Sequence, residues 1–200
     1  MGTAGAGAGP AQRRLLVFCI LCGCDSGTES DQHARPVTAH QQARVVKLPA
    51  SGSCQCGAVT YTLSAEPLFT YACHCHTCQK RTGSACAVAL VVPLEGLAIE
   101  GELVTLERVS DKGEINRRFS CAECGSVIHG VGAASPALSK LQSGTLDDSS
   151  EVEPEVHMWT RSRQRWISLA PGVPQYETQP EDLTELLQAS LDYRQSRAQA

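Results

Sequence analysis

"YACHCHTCQKRTGSAC", residues 71–86, sets four cysteines and two histidines in sixteen positions, with Cys73, Cys75 and Cys78 spaced C-x-C-x-x-C. In an extended segment residues i and i+2 share one face, so Cys73 and Cys75 can hold one ion while His74 and His76 point away from it. A turn then returns Cys78 to the same ion. Zinc takes four ligands, and neither histidine suits the fourth position. Cys86 heads the apolar run "ACAVALVV" and is expected to be a buried, inert thiol of the core. The fourth position is therefore expected to stay open to water or a ligand, as a catalytic zinc requires. Three thiolates make such an ion a weak Lewis acid for carbonyls but a good acceptor of an incoming thiolate. Thiol chemistry is thus favoured over hydrolysis.

Two more cysteine pairs lie to either side. "SGSCQCGAV" holds Cys54 and Cys56, and "FSCAECGSV" holds Cys121 and Cys124. The C-x-x-C-G of the second has the form of a zinc knuckle, in which a tight turn aims both sulfurs at one ion. Together the pairs complete a closed four-thiolate site, expected to supply folding energy rather than chemistry. The segment after Cys78, "QKRTGS", is polar and basic and ends in a glycine that can stop a single helical turn. Its Lys80 and Arg81 are candidates to receive an anionic thiol substrate.

Outward from these clusters, composition narrows the class. The chain has 200 residues, 42% of them hydrophobic, which suits one domain with an ordinary core. Its formal net charge is -4, and the basic residues fall in short groups such as "RR", "KR" and "RSRQR". That distribution disfavours nucleic acid as the main partner. Eleven cysteines, most of them in C-x-C and C-x-x-C spacing, favour metal ligation over a disulfide scaffold, and favour a reducing, cytoplasmic setting.

Residues 1–47 read as a disordered or signal-like extension. Leu15 to Cys24 is apolar but shorter than the roughly 20 residues a membrane span needs. It looks like a secretory h-region behind Arg13 and Arg14, with "LCGC" close to a lipoprotein box, so export or lipid anchoring is the alternative location. Residues 48–180 read as the zinc domain, mainly β. "AVTYTL" alternates, "ACAVALVV" suits a strand buried on both faces, and "LVTLERV", "INRRFSC", "SVIHGV", "VHMWTR" and "RWISL" are further strands. Residues 181–200 form a C-terminal helix and tail. Leu183, Leu186, Leu187, Ser190 and Leu191 recur at helical spacing, and Thr178 with Glu181 is the expected capping box.

With these residues in view, the chain resembles the GFA family, the glutathione-dependent formaldehyde-activating enzymes, whose domain is shared with centromere protein V. The resemblance rests on "GSCQCGAVTYT", "CHCHTCQKRTGSA", "FSCAECGSVI", "SGTLDD" (143–148) and "VHMWTRSRQRW" (156–166), in the family's order over residues 51–177. It implies a β-tent type fold of short mixed sheets that binds two zinc ions. One would sit on Cys54, Cys56, Cys121 and Cys124, the other on Cys73, Cys75 and Cys78, the partition that counting also yields. It further implies a carbon-sulfur lyase in which glutathione and formaldehyde form or release S-hydroxymethylglutathione. On that reading the sulfur of glutathione fills the open zinc position. A non-catalytic zinc-binding interaction module and a thiol redox or metal-handling protein are the rival functions. Of the remaining polar residues, His129 is a candidate to line the catalytic cleft, and Trp159 a core or cleft-wall residue on a strand with His157. Trp166 closes the last motif. Strand alternation leaves at most one of Arg117 and Arg118 facing a shared pocket.

Overall fold

The computed structural model describes residues 46–110 and 113–199. The expected N-terminal extension, including Leu15 to Cys24, lies outside the described residues apart from Val46 and Lys47. Ten strands and two helices follow in order. They are β1 (Ala50–Ser53), β2 (Thr60–Leu63), β3 (Phe69–Cys73), α1 (His76–Thr82), β4 (Ala87–Pro93) and β5 (Leu97–Glu100). Then come β6 (Leu103–Val109), β7 (Ile115–Cys121), β8 (Val127–Gly132), β9 (Leu138–Gln142), β10 (Val156–Met158) and α2 (Leu183–Ala198).

The strands form three small sheets, β1-β2-β5, β10-β3-β4-β9 and β6-β7-β8. The pairing of β10 with β3 is parallel and the others are antiparallel, so the architecture is mainly β with short mixed sheets and a C-terminal helix. Strand β4 explains how they share a core. Its Leu90 and Val92 point into a cluster with Val59, Leu63, Ile128 and Leu141, while Val91 points the other way, to Phe69, Val156 and Leu186. Both faces of β4 are covered, which accounts for its near-continuous apolar run.

The register across the four-stranded sheet lays out the floor of the site. Phe69 pairs with Val91 and Val91 with Lys140; Tyr71 pairs with Ala89 and Ala89 with Gln142; Cys73 pairs with Ala87. Side chains alternate along a strand, so these rows share one face, and Cys73 ends that face where α1 begins.

The sequence expectations need four corrections here. "RWISL" is not a strand: Ile167 N–H donates to the Gln164 carbonyl at 3.0 Å, closing a turn, and Trp166 is 73% exposed. The α2 cap is Asp182, whose carboxylate accepts from Thr184 N–H at 2.8 Å, rather than the Thr178–Glu181 box. Leu186, Ser190 and Tyr193 are the buried residues of α2, whereas Leu191 faces solvent. Cys86 precedes β4 and is only half-buried, because the strand's covered stretch begins at Ala87.

Helix α2 lies on the domain rather than fraying from it. Leu186 packs with Phe69 and Met158, and Glu155 accepts hydrogen bonds from Ser190 Oγ, Thr70 N–H and the Arg194 guanidinium.

Candidate metal centres and cleft

Two knuckle turns, one at the start of the domain and one in its middle, build the first cluster. After β1, Gly57 N–H donates to the Cys54 carbonyl at 3.1 Å, and Gly57 takes φ 78°. Between β7 and β8, Gly125 N–H donates to the Cys121 carbonyl at 3.0 Å, and Gly125 takes φ 72°. Positive φ at these two places is what glycine permits and other residues resist. The turns bring Cys54, Cys56, Cys121 and Cys124 together, all four sulfurs within 4.8 Å of one another.

These distances discriminate between bond types. Cys54 Sγ to Cys56 Sγ is 3.5 Å and Cys56 Sγ to Cys121 Sγ is 3.9 Å, far beyond the roughly 2.05 Å of a disulfide. Tetrahedral zinc at about 2.3 Å from each sulfur separates ligands by about 3.8 Å. Val59 N–H also points at Cys54 Sγ, 3.2 Å away, as suits a thiolate rather than a thiol. Ser126 Oγ contacts Cys124 Sγ at 3.2 Å, and this hydrogen bond leads the causes that pull Cys124 down to about 5. Donor set and spacing fit a closed four-thiolate site. Cys54 and Cys121 are 3% and 1% exposed and belong to the main apolar core, which roots the cluster in the framework, while Cys56 and Cys124 are exposed.

The second cluster sits at the β3–α1 junction. Cys73, Cys75 and Cys78 again have their sulfurs within 4.8 Å of one another. Cys75 is the N-cap of α1, its sulfur accepting from Cys78 N–H at 3.3 Å, so Cys78 returns on the helix's first turn rather than on a loop. Gly83, at φ 63°, ends the helix, which therefore runs longer than the expected single turn. Contact with the Cys73 thiol holds Cys75 down at about 5 and Cys78 below the usual thiol range, while Cys73 is driven up. Three sulfurs this close cannot all ionise without a cation between them. The donors fit a soft divalent metal with three protein ligands.

Neither histidine of the motif joins the sulfurs. His74 is fully buried, stacked on His157 at 5.2 Å between ring centroids, with His74 Nε2 and His157 Nδ1 sharing a hydrogen bond of 2.9 Å. Burial keeps both imidazoles in their neutral form; for His157 it is the main cause of a value near 4. This pair, together with His74 N–H donating to the Met158 carbonyl, ties β10 to the end of β3. His76 is exposed and borders the cleft described next.

A cleft of about 1060 Å³ opens over the second cluster. Its floor is the sheet face carrying Phe69, Tyr71, Val91, Lys140 and Gln142, with Cys73, Cys75 and Cys78 at one end. Leu183 and Leu186 of α2 close one side, and Asn116 to Arg118 of β7 another. The segment from Trp159 to Trp166 crosses above. Gln79 fastens that strap to α1: its Nε2 donates to the His74 and Ser162 carbonyls at 2.6 and 2.8 Å, and Gln164 Nε2 donates to its Oε1. Trp159 begins the strap at φ 59°, a conformation strained for a residue with a side chain, and Thr160 N–H donates to the Tyr176 carbonyl to hold the turn. Arg161 lies over the Trp159 ring at 4.9 Å.

Of the candidate substrate residues, Arg81 lines the cleft and Lys80 does not; Lys80 is exposed on the outer side of α1. Arg81 Nη1 donates to Gln142 Oε1 at 3.1 Å, Nη2 lies 3.9 Å from Cys78 Sγ, and Nε is buried without a partner. Trp159 is a cleft wall, as one of its two expected roles required. His129 does not line the cleft. It is 4% exposed, stacks on Phe119 at 4.4 Å and bonds Ser139 Oγ at 2.9 Å, and its burial lowers it to about 4. Arg117 and Arg118 both border the cleft, although strand alternation allowed one. The long Arg117 stem reaches round to the rim, where its Nε bonds Glu107 at 2.8 Å. "SGTLDD" contributes framework contacts instead: Thr145 Oγ1 bonds Tyr61 Oη at 2.9 Å, and Asp147 accepts from Ser51 Oγ at 2.6 Å. Lys140, Gln142 and Gln79 are site residues that no spacing rule singles out.

A relative from Sordaria macrospora, provisionally named a glutathione-dependent formaldehyde-activating enzyme, is 31% identical over 103 residues, 48% of this chain and 43% of that protein. One from Emericella nidulans, with the same provisional name, is 34% identical over 79 residues, 38% of this chain and 40% of that protein. The chain thus spans less than half the length of these curated relatives. A solved Rhodobacter sphaeroides protein aligns with 18% identity and a TM-score of 0.40, over 63% of this chain and 98% of its own. The family model described as glutathione-dependent formaldehyde-activating enzyme matches residues 49–162, more than half of the chain and both cysteine clusters, and the chain belongs to that GFA family.

Proposed function

We propose that this chain is a zinc-dependent carbon-sulfur lyase of GFA type that forms or cleaves a glutathione-aldehyde adduct such as S-hydroxymethylglutathione. One observation carries the reading: three thiols converge at the end of a large cleft, while the other cluster already supplies four thiols and borders no part of that cleft. In the forward direction glutathione sulfur bonds the formaldehyde carbon, the carbonyl π pair moves to oxygen, and oxygen takes up the proton that sulfur gave up. No oxidant or reductant is needed.

Cys73, Cys75 and Cys78 would hold the catalytic zinc, and Cys54, Cys56, Cys121 and Cys124 the structural one. Zinc bound at the three-thiol site supplies a soft position that favours sulfur as thiolate at neutral pH. Arg81, fixed by Gln142 and beside Cys78 Sγ, keeps a positive charge where sulfur charge gathers. His76, the one imidazole among the described cleft residues, is placed to exchange the proton with solvent. The strap and Trp159 hold the substrate against bulk water.

No described helix is long and apolar enough to cross a membrane. The cytoplasm is the proposed setting, since both clusters need reduced thiols. The test is direct. Zinc-loaded protein mixed with glutathione and formaldehyde should speed formation of S-hydroxymethylglutathione, followed by NMR of the methylene group, above the uncatalysed rate. A rate equal to that of a Cys75→Ser preparation would remove the lyase reading.

A further inference from the structure

Strand β6 lies open to solvent along its length. Val104 to Val109 are all exposed, and of the six exposed large apolar side chains among the described residues, Val104, Leu106, Val109 and Ile115 lie on the β6–β7 hairpin. Among the described residues β6 pairs on one side only, with β7, and so forms the edge of the β6-β7-β8 sheet. Folded proteins usually blunt such an edge with a proline, a bulge or a short length. Strand β6 has seven residues, no proline and an unbroken register.

Two hydrogen bonds tell which backbone groups face outward. Ser110 N–H donates to the Glu114 carbonyl at 2.7 Å, and Ala122 N–H donates to the Glu102 carbonyl at 3.0 Å. Both pairs continue the β6–β7 register, in which directly opposed residues alternate between bonded and non-bonded. Even-numbered residues of β6 therefore turn their backbone groups to β7. Leu103, Thr105, Glu107 and Val109 turn theirs to the free edge.

The side chains decide what can pair there. Glu102, just before β6, shares one face with Val104, Leu106 and Arg108, so the row reads acid, apolar, apolar, base. Read backward it is its own complement. An antiparallel second copy centred on Thr105 sets Val104 against the partner's Leu106 and Glu102 against the partner's Arg108, and each contact occurs twice. A centre at Leu106 would instead set Val104 against the charge of Arg108, and a centre at Glu107 would set two carboxylates face to face. Glu107 lies on the other face and is already paired with Arg117 at 2.8 Å.

We propose that two copies of this chain pair β6 with β6 about a two-fold axis at Thr105, giving one six-stranded sheet. Arg108 lines the cleft, so each copy places its Glu102 carboxylate at the edge of the other's cleft wall. The proposal is independent of the lyase reading. One strand edge covers less than the roughly 1,200 Å² of a standard interface, so the dimer should dissociate at micromolar concentrations.

Sedimentation velocity of the full, zinc-loaded chain, from low micromolar to millimolar concentration, should show twice the chain's mass at the upper end. Thr105→Pro removes an N–H that faces the partner and leaves the β7 ladder intact. It should weaken the dimer at least about tenfold, with circular dichroism and zinc content unchanged. Glu102→Arg should weaken the dimer several-fold, and adding Arg108→Glu to that variant should restore it. The charge swap keeps the test decisive if Thr105→Pro does not fold. Hydrogen exchange reads the same edge: the amides of Thr105 and Glu107 should exchange more slowly in the dimer than after dilution. A monomer throughout overturns the proposal, as does a dimer that both single substitutions leave unchanged. Slow exchange of these two amides in a monomer would mean that the chain covers its own edge, and would also overturn it.

Discussion

The two cysteine clusters use the same atom type at the same spacing, yet their surroundings give them opposite prospects. Cys54 and Cys121 join an apolar core beside Val59 and Ile128, and glycine turns on both sides close the cluster. Cys75 and Cys78 stand at a helix start under a cationic cleft, with only Cys73 fully sunk in the sheet. Four ligands anchored through two core cysteines make a fastener; three ligands beside a cavity make a reagent. Burial alone does not separate these roles, since Cys56 and Cys124 are exposed; a full set of four ligands leaves no position for an arriving group, and a set of three beside a cavity leaves one.

The comparison breaks most visibly in folding. Cys121→Ser should prevent the β6-β7-β8 sheet from being tied to β1 and leave the chain largely unfolded by circular dichroism, because structural zinc is folding free energy. Cys75→Ser should keep the fold, release one of two zinc ions and lower turnover by at least about a hundredfold, the upper end of what loss of an outer partner costs. Equal folding defects in the two variants would make both clusters structural.

Packing under the cleft should produce the next largest effect. Leu186→Ala removes the contact of α2 with Phe69 and Met158, and should cost about 2–4 kcal/mol in urea unfolding while both zinc ions remain bound. Loss of the cleft metal in this variant would show that α2 supports the reagent cluster rather than merely lying beside it.

A smaller effect separates frame from site by pH. His129 is buried neutral in the β7–β8 framework, with a value near 4 against about 6.5 in the unfolded chain. Between those values the unfolded chain binds the extra proton, so stability is full above about 6.5 and falls as pH drops toward 4. His129→Asn should reduce that slope, read as the midpoint of urea unfolding at pH 7 and pH 5. An unchanged slope would place the titration elsewhere.

Much of the site was legible in the residues, and the reason is local. Both knuckles and the C-x-C-x-x-C motif are short-range patterns, so spacing alone partitioned seven thiols into four and three. Strand alternation likewise turned His74 away from the sulfurs, although it did not reveal the His157 partner that buries it. The cationic lining of the cleft was hidden for the opposite reason. Arg81, Arg118, Lys140 and Arg163 sit on four separate elements, and only sheet register and the strap bring them to one cavity. Read along the chain, those charges looked scattered. "RWISL" misled because an alternating pattern needs a neighbouring strand, and the Gln164 turn takes the Ile167 N–H instead. Cys86 misled by one position, since the covered part of β4 starts at its neighbour.

The central claim is that one centre is closed and the other keeps a place for substrate sulfur. Zinc K-edge spectroscopy of the protein carrying two zinc ions tests it most directly. Without substrate, the average sulfur coordination should be about 3.5 per zinc, four at one site and three at the other. Saturating glutathione should raise it to about four. An average of four before glutathione is added, or no change after it, would contradict the account.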